Sequence, residues 1–142
     1  MGQQWNCVIA RNGGEIISAE PTYLEMTGYA KNHGASIKTV PVDAALKHDL
    51  KAMRAAVSER TRAMYICNPN NPTGTAVPRA QIVELAMSLP PEVLLIVDEA
   101  YMDFADDPAV GSVAELVKSG RRIVVLRTFS KIHGMAGVRC GY

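Results

Sequence analysis

Short apolar runs alternate along the chain with stretches whose apolar positions recur at helical spacing. Glu15 to Ala19 is an apolar segment closed by the turn-forming pair Glu20-Pro21. From Tyr23 to His33 the spacing is that of a helix, and the pattern stops at Gly34. Ser36 to Val42 predicts a second strand, His48 to Val57 a helix, and Ala63 to Cys67 a third strand. A loop dense in Asn, Pro and Gly runs from Asn68 to Val77. It opens into a helix with Pro78 near its first turn and Gln81 to Leu89 as its body. Val93 to Val97 is the most strongly apolar strand and is followed directly by Asp98; a short helix around Val113 to Lys118 leads to the last strand, Ile123 to Leu126.

Strands separated by helices need crossover connections. The chain is therefore expected to be an α/β domain, a mostly parallel sheet with helices on both faces. With 142 residues there is room for one domain and one core, so residues 1–142 are read as a single unit. Ligands of such sheets bind outside the carboxyl ends of the strands. Four strands deliver polar residues to that edge: Tyr23 after the first, Asn71 after the third, Asp98 and Tyr101 after the fourth, and Lys131 after the fifth.

Charge and cysteine content narrow the function classes. The formal net charge is +1, and Arg121-Arg122 is the only adjacent basic pair, which leaves no electrostatic footprint for nucleic acid. The longest aliphatic run, Val93 to Val97, is far below the roughly 20 residues that span a bilayer, so no membrane insertion is expected. Cys7, Cys67 and Cys140 match neither a disulfide framework nor a zinc site and read as reduced thiols of a cytoplasmic protein. Met1 to Arg11 lacks the charged and apolar regions of a signal peptide. Asp103, Asp106 and Asp107 fit an exposed loop better than a metal site, and His33, His48 and His133 are dispersed, so no metal is expected. No G-x-G-x-x-G follows the first strand, and neither a phosphate-binding G-x-x-x-x-G-K nor a G-x-S-x-G elbow occurs.

The segment Thr128-Phe129-Ser130-Lys131, followed by Gly134, Ala136-Gly137 and Arg139, carries the strongest chemical signal. Lysine becomes a Schiff-base nucleophile when desolvation or a nearby cation lowers its pKa, and Arg139 is a candidate for that cation. Asp98, placed after five aliphatic residues, needs a cation or several donors if it is to stay charged. Tyr23 reads either as a core aromatic or as a stacking face, and Asn71 either as a turn former or as a ligand contact. As a set, the residues suit a flat cationic heteroaromatic ring with a phenolate oxygen, an aldehyde and a phosphate, which is pyridoxal 5'-phosphate. Asp98 would face the ring nitrogen, Asn71 and Tyr101 the phenolate oxygen, Tyr23 the ring face, and Thr128, Ser130 and Arg139 the phosphate.

Asn68-Pro69-Asn70-Asn71-Pro72-Thr73-Gly74-Thr75, Asp98-Glu99-Ala100-Tyr101, and Thr128 to Lys131 with Gly134, Ala136-Gly137, Arg139 and Gly141-Tyr142 closely resemble the class I/II aminotransferases of pyridoxal-phosphate fold type I. Pro21-Thr22-Tyr23 resembles the ring-stacking motif of the histidinol-phosphate aminotransferase branch, the branch the chain looks most like. The resemblance runs from about Gly14 to Tyr142, while Met1 to Gly14 fits the family poorly. It implies transamination between an amino substrate, histidinol phosphate in that branch and hence histidine biosynthesis, and a 2-oxo acid such as 2-oxoglutarate. Lys131 is implied as the Schiff-base lysine and proton carrier, with Asp98 and Tyr101 as its catalytic companions and a homodimer as the assembly. The family also implies an upstream phosphate-binding segment and a small C-terminal domain, so the chain is expected to be the central slice of a cofactor-binding domain, incomplete at both ends. Two alternatives stay open: a related decarboxylase or lyase, and a remnant that binds cofactor without catalysis.

Overall fold

The computed structural model describes residues 13–142, so Cys7 and the segment Met1 to Arg11 lie outside the described residues. Five strands form one sheet: β1 (Glu15–Glu20), β2 (Ser36–Pro41), β3 (Thr61–Cys67), β4 (Leu94–Asp98) and β5 (Ile123–Leu126). All neighbours are parallel, in the order β2-β1-β3-β4-β5. The chain goes to one side of β1 first and then crosses to the other, which puts a topological switch point between β1 and β3. In doubly wound sheets of this order the loops leaving the switch-point strands splay apart and open a ligand crevice.

The crossovers contain α1 (Glu25–Asn32), α2 (Leu50–Ala55) and α3 (Arg79–Ser88). Each is shorter than its sequence pattern predicts, for local reasons. In α1 the Leu24 carbonyl takes the Gly28 N–H at 2.7 Å, so the helix begins after Tyr23 and leaves that ring in the loop. Asp49 caps α2 by accepting the Ala52 N–H at 2.9 Å, which excludes His48 from the helix. The predicted helix around Val113 is a 3-10 turn, Ala114–Lys118, and two further 3-10 turns, Met102–Phe104 and Ala136–Val138, were not foreseen. Such short turns lack the periodicity that a sequence can reveal.

Strand alternation divides the core between the two faces. Ile17, Met64, Ile66, Leu95 and Val97 pack with Met53 of α2 and Ile82 and Leu85 of α3. Ile16, Ala63, Tyr65, Cys67, Leu94 and Ile96 face the other way, against Ala30 of α1. Each of these strand residues is at most 7% exposed, so both faces are covered, and the expectation of helices on both sides holds. The same alternation sends Asp98 to the α1 face and Glu99 to the opposite one. No helix among the described residues is long and apolar enough to cross a membrane.

Candidate active site

A cleft of about 620 Å³ opens at the carboxyl edge of the sheet. All eight residues singled out from the sequence border it: Tyr23, Asn71, Asp98, Tyr101, Thr128, Ser130, Lys131 and Arg139. A neighbouring hollow of about 550 Å³ shares only Asn71 and Tyr101 with that set.

Asp98 ends β4 and pairs in register with Cys67 of β3. Its carboxylate accepts the Tyr65 hydroxyl at 3.0 Å on one oxygen and the Ala100 N–H at 3.0 Å on the other. Burial pushes its pKa above the ordinary aspartate value; the Ala100 and Tyr65 hydrogen bonds and the charge of Lys131 pull the other way. The balance is that of a carboxylate short of positive charge. Cys67 sits beside it, and burial raises its thiol to about 11, so the sulfur stays protonated at neutral pH.

Lys131 lies in the turn beyond β5, with Nζ 5.1 Å from the centroid of the Tyr101 ring. The sequence left two routes to an activated amine, desolvation or a nearby cation; Lys131 is exposed, which leaves the cation route. The reason is that β5 stops at Leu126, so Lys131 belongs to the connecting turn and not to the strand. Thr128 and Ser130 form a hydroxyl pair: Thr128 Oγ1 donates to Ser130 Oγ at 2.9 Å and accepts the Ser130 N–H at 3.0 Å.

The turn is closed by an antiparallel bridge between Thr128 and Gly141, flanked by reciprocal hydrogen bonds between Arg127 and Tyr142 of 2.7 and 2.9 Å. A Cβ on Gly141 would meet the Arg127 carbonyl oxygen at 2.8 Å, so only glycine lets the two segments come this close. Arg139, just before, has φ of 55°, a left-handed conformation that costs a non-glycine residue on the order of 1 kcal/mol and that concentrates at functional sites. Its guanidinium donates to the Ala136 carbonyl at 2.9 Å while facing the cleft.

Across the cleft, Tyr23 has its pKa pushed up to about 12, first by the Glu25 carboxylate at its hydroxyl and then by burial. Its position relative to Asn71 is set from behind. Buried Asn70 accepts the Thr22 hydroxyl at 2.6 Å and donates to the Pro21 carbonyl at 3.1 Å and to Thr73 Oγ1 at 2.9 Å. One side chain thereby closes the base of the switch-point crevice and spaces the two loops that carry Tyr23 and Asn71.

A family comparison rests on the same segments. The family model for aminotransferase class I and II matches residues 4–142. The chain belongs to the class I and II aminotransferase family. Among the relatives of this aminotransferase chain, the histidinol-phosphate aminotransferase of Limosilactobacillus fermentum is 42% identical over 129 residues, covering 90% of the chain and 36% of the relative. The aromatic amino acid aminotransferase of Mycolicibacterium smegmatis is 46% identical over 143 residues, covering 99% and 38%. The crystal structure of histidinol-phosphate aminotransferase from Sinorhizobium meliloti, in complex with pyridoxal-5'-phosphate, superposes with a TM-score of 0.85 at 30% identity, covering 98% of the chain and 39% of that protein. The fold is thus that of the large domain of fold type I, pyridoxal-phosphate-dependent aminotransferases. The chain spans little more than a third of the length of these relatives. The match begins at residue 4, ahead of Gly14 where the motifs placed it. The motifs named above all lie beyond Glu15, so reading by motif did not reach this stretch.

Four further residues shape the cleft and were not singled out from sequence: Tyr65, Asn70, Glu99 and Arg127. Glu99, 1% exposed, accepts the Ser112 hydroxyl and the Val113 N–H, each at 2.7 Å, and lies 3.9 Å from Arg127 Nε. Arg127 also binds Asp103 at 2.5 Å, an ion pair that draws the turn after Tyr101 towards the end of β5. The alternation of β4 was the available signal for Glu99: a carboxylate directed into an apolar face must be met by donors.

Proposed function

We propose that the cleft is the pyridoxal 5'-phosphate site of an aminotransferase, and that the protein moves an amino group between an amino substrate and a 2-oxo acid such as 2-oxoglutarate. The observation that carries this reading is the convergence on one cleft of a carboxylate short of positive charge, an amine, two phenols, a hydroxyl pair and a guanidinium. When bound, the cofactor supplies a ring that accepts negative charge from the substrate's α-carbon. Asp98 suits a protonated ring nitrogen, because a cation there would relieve the cost of its burial. Asn71 and Tyr101 are assigned to the phenolate oxygen and Tyr23 to the ring face. Thr128, Ser130 and Arg139 are assigned to the phosphate, which takes hydroxyl donors and a planar guanidinium fork equally well. Lys131 is assigned to the aldehyde end of the cofactor, and when free its Nζ would take and return the proton at the substrate's α-carbon.

The amino substrate in this reading is histidinol phosphate or an aromatic amino acid, since relatives of both names align over the same stretch at similar identity. Residues 1–142 are read as part of the large domain. A homodimer is supported by the exposed apolar side chains Ile132, Met135 and Val138 beside the cleft. A cytoplasmic setting is supported by the free thiols Cys67 and Cys140. The test is spectroscopic: pyridoxal phosphate added to the protein is expected to develop a visible band that Lys131→Ala lacks. Histidinol phosphate, phenylalanine or tyrosine should discharge that band. A band that no donor discharges contradicts transamination, and no band contradicts the cofactor assignment.

A further inference from the structure

Every residue assigned to the cofactor borders the cleft. Tyr65 does not, yet it touches the residue on which the cofactor's charge depends. It lies in the middle of β3, 0% exposed, within the apolar cluster that includes Ile16, Ala63 and Ile96. Phenylalanine would fill that space equally well, and a buried hydroxyl without a partner costs roughly 1–3 kcal/mol. The partner here is Asp98 Oδ2, at 3.0 Å. Strand parity places Tyr65 and Asp98 on the same face, and the ring reaches the carboxylate from the core side, opposite the cleft.

We infer that Tyr65 is a positioning residue for this site: its hydroxyl anchors the Asp98 carboxylate from behind, so that the carboxylate faces the cleft as the acceptor for a protonated heteroaromatic nitrogen. The inference rests on the cofactor reading above and adds to it the group that keeps Asp98 fit for its task. Burial, followed by the Asp98 charge, pushes the Tyr65 phenol far above its ordinary value, so the proton stays on tyrosine and the carboxylate stays the acceptor. The two donors are complementary. The Ala100 amide occupies Oδ1 and the Tyr65 hydroxyl Oδ2, which fixes the carboxylate plane and leaves lone pairs directed at the cleft. Each hydrogen bond also favours the anion against the desolvation that favours the neutral acid.

The experiment compares the protein with Tyr65→Phe, which deletes one oxygen and keeps the ring. Asp98 is titrated without cofactor by carboxyl-carbon NMR, and the dissociation constant for pyridoxal phosphate is measured separately. Loss of a hydrogen bond to a charged group should raise the Asp98 pKa by about one unit and weaken cofactor binding about tenfold. A packing role alone would lower the melting temperature and leave the Asp98 titration where it was. Replacing Tyr65 with 3-fluorotyrosine, a more acidic phenol in the same space, should move the titration the opposite way, a check that survives if the phenylalanine variant folds poorly. An Asp98 titration unchanged in both variants overturns the inference, as does unchanged cofactor affinity in Tyr65→Phe. Failure of the unaltered protein to bind pyridoxal phosphate, with the titration shifts intact, would instead overturn the cofactor reading and leave the Tyr65–Asp98 pairing standing.

Discussion

The Thr22 hydroxyl donates to the Asn70 side-chain carbonyl at 2.6 Å, joining two buried residues 48 positions apart and binding the loop after β1 to the loop after β3. At a switch point nothing in the sheet's own hydrogen bonding holds these loops together, because the strands' ladder ends below them. Tyr23 and Asn71 each follow a member of this pair, so the clamp sets the width of the cleft on that side.

Thr22→Val keeps the shape and removes the donor. It should cost about 1–3 kcal/mol, read as a lower urea midpoint at unchanged slope, because the Asn70 oxygen is left buried and unmet. Thr22→Ser restores the hydroxyl and should recover most of the loss. Full stability in Thr22→Val, with the loss appearing only in Thr22→Ser, would show that the methyl group, and not the bond, matters.

Glu99 acts on the other side of the sheet. Its side chain is wholly buried and holds Ser112, Val113 and Arg127. Glu99→Ala should destabilise by about 1–3 kcal/mol, since it leaves the Ser112 hydroxyl and the buried Val113 N–H without their acceptor. The turn from Tyr101 to Phe104 should also lose hydrogen-exchange protection, because Arg127 is then released from one of its two acids. Loss of stability with protection at Tyr101 to Phe104 unchanged would separate Glu99 from the cleft.

Asp98 makes ligand-free stability depend on pH. Its native pKa is raised, so the folded state holds the proton more tightly than the unfolded chain. Stability therefore falls as pH rises from the ordinary aspartate value of about 3.9 through the raised native value, by about 1.4 kcal/mol for each unit of the shift. Asp98→Asn removes this dependence. Its stability advantage over the unaltered protein should widen with pH across that window and then level off; an advantage that shrinks with rising pH would reverse the sign of the argument.

The strands were legible because apolar runs bounded by turn residues survive in any parallel sheet. Ile123 to Leu126 matches its observed bounds, and the other four agree within two residues at each end. The cleft residues were legible because polar side chains stand where buried strands end. Tyr65 and Asn70 were not. A tyrosine inside an apolar run looks like core, and an asparagine among Asn, Pro and Gly looks like a turn former; only the fold shows that each side chain bonds a partner far along the chain. The exposure of Lys131 was also hidden, because sequence marks where an apolar run stops and not how the following turn is covered.

Lys131 is where the account is most directly tested. The protein is incubated with pyridoxal phosphate, reduced with borohydride, digested and mapped by mass spectrometry, with Lys131→Ala alongside. The account predicts one dominant phosphopyridoxyl adduct, on Lys131, and its disappearance in the variant without transfer to another lysine. Adducts spread over surface lysines such as Lys31 and Lys51, with labelling at Lys131 no greater than theirs, would contradict it.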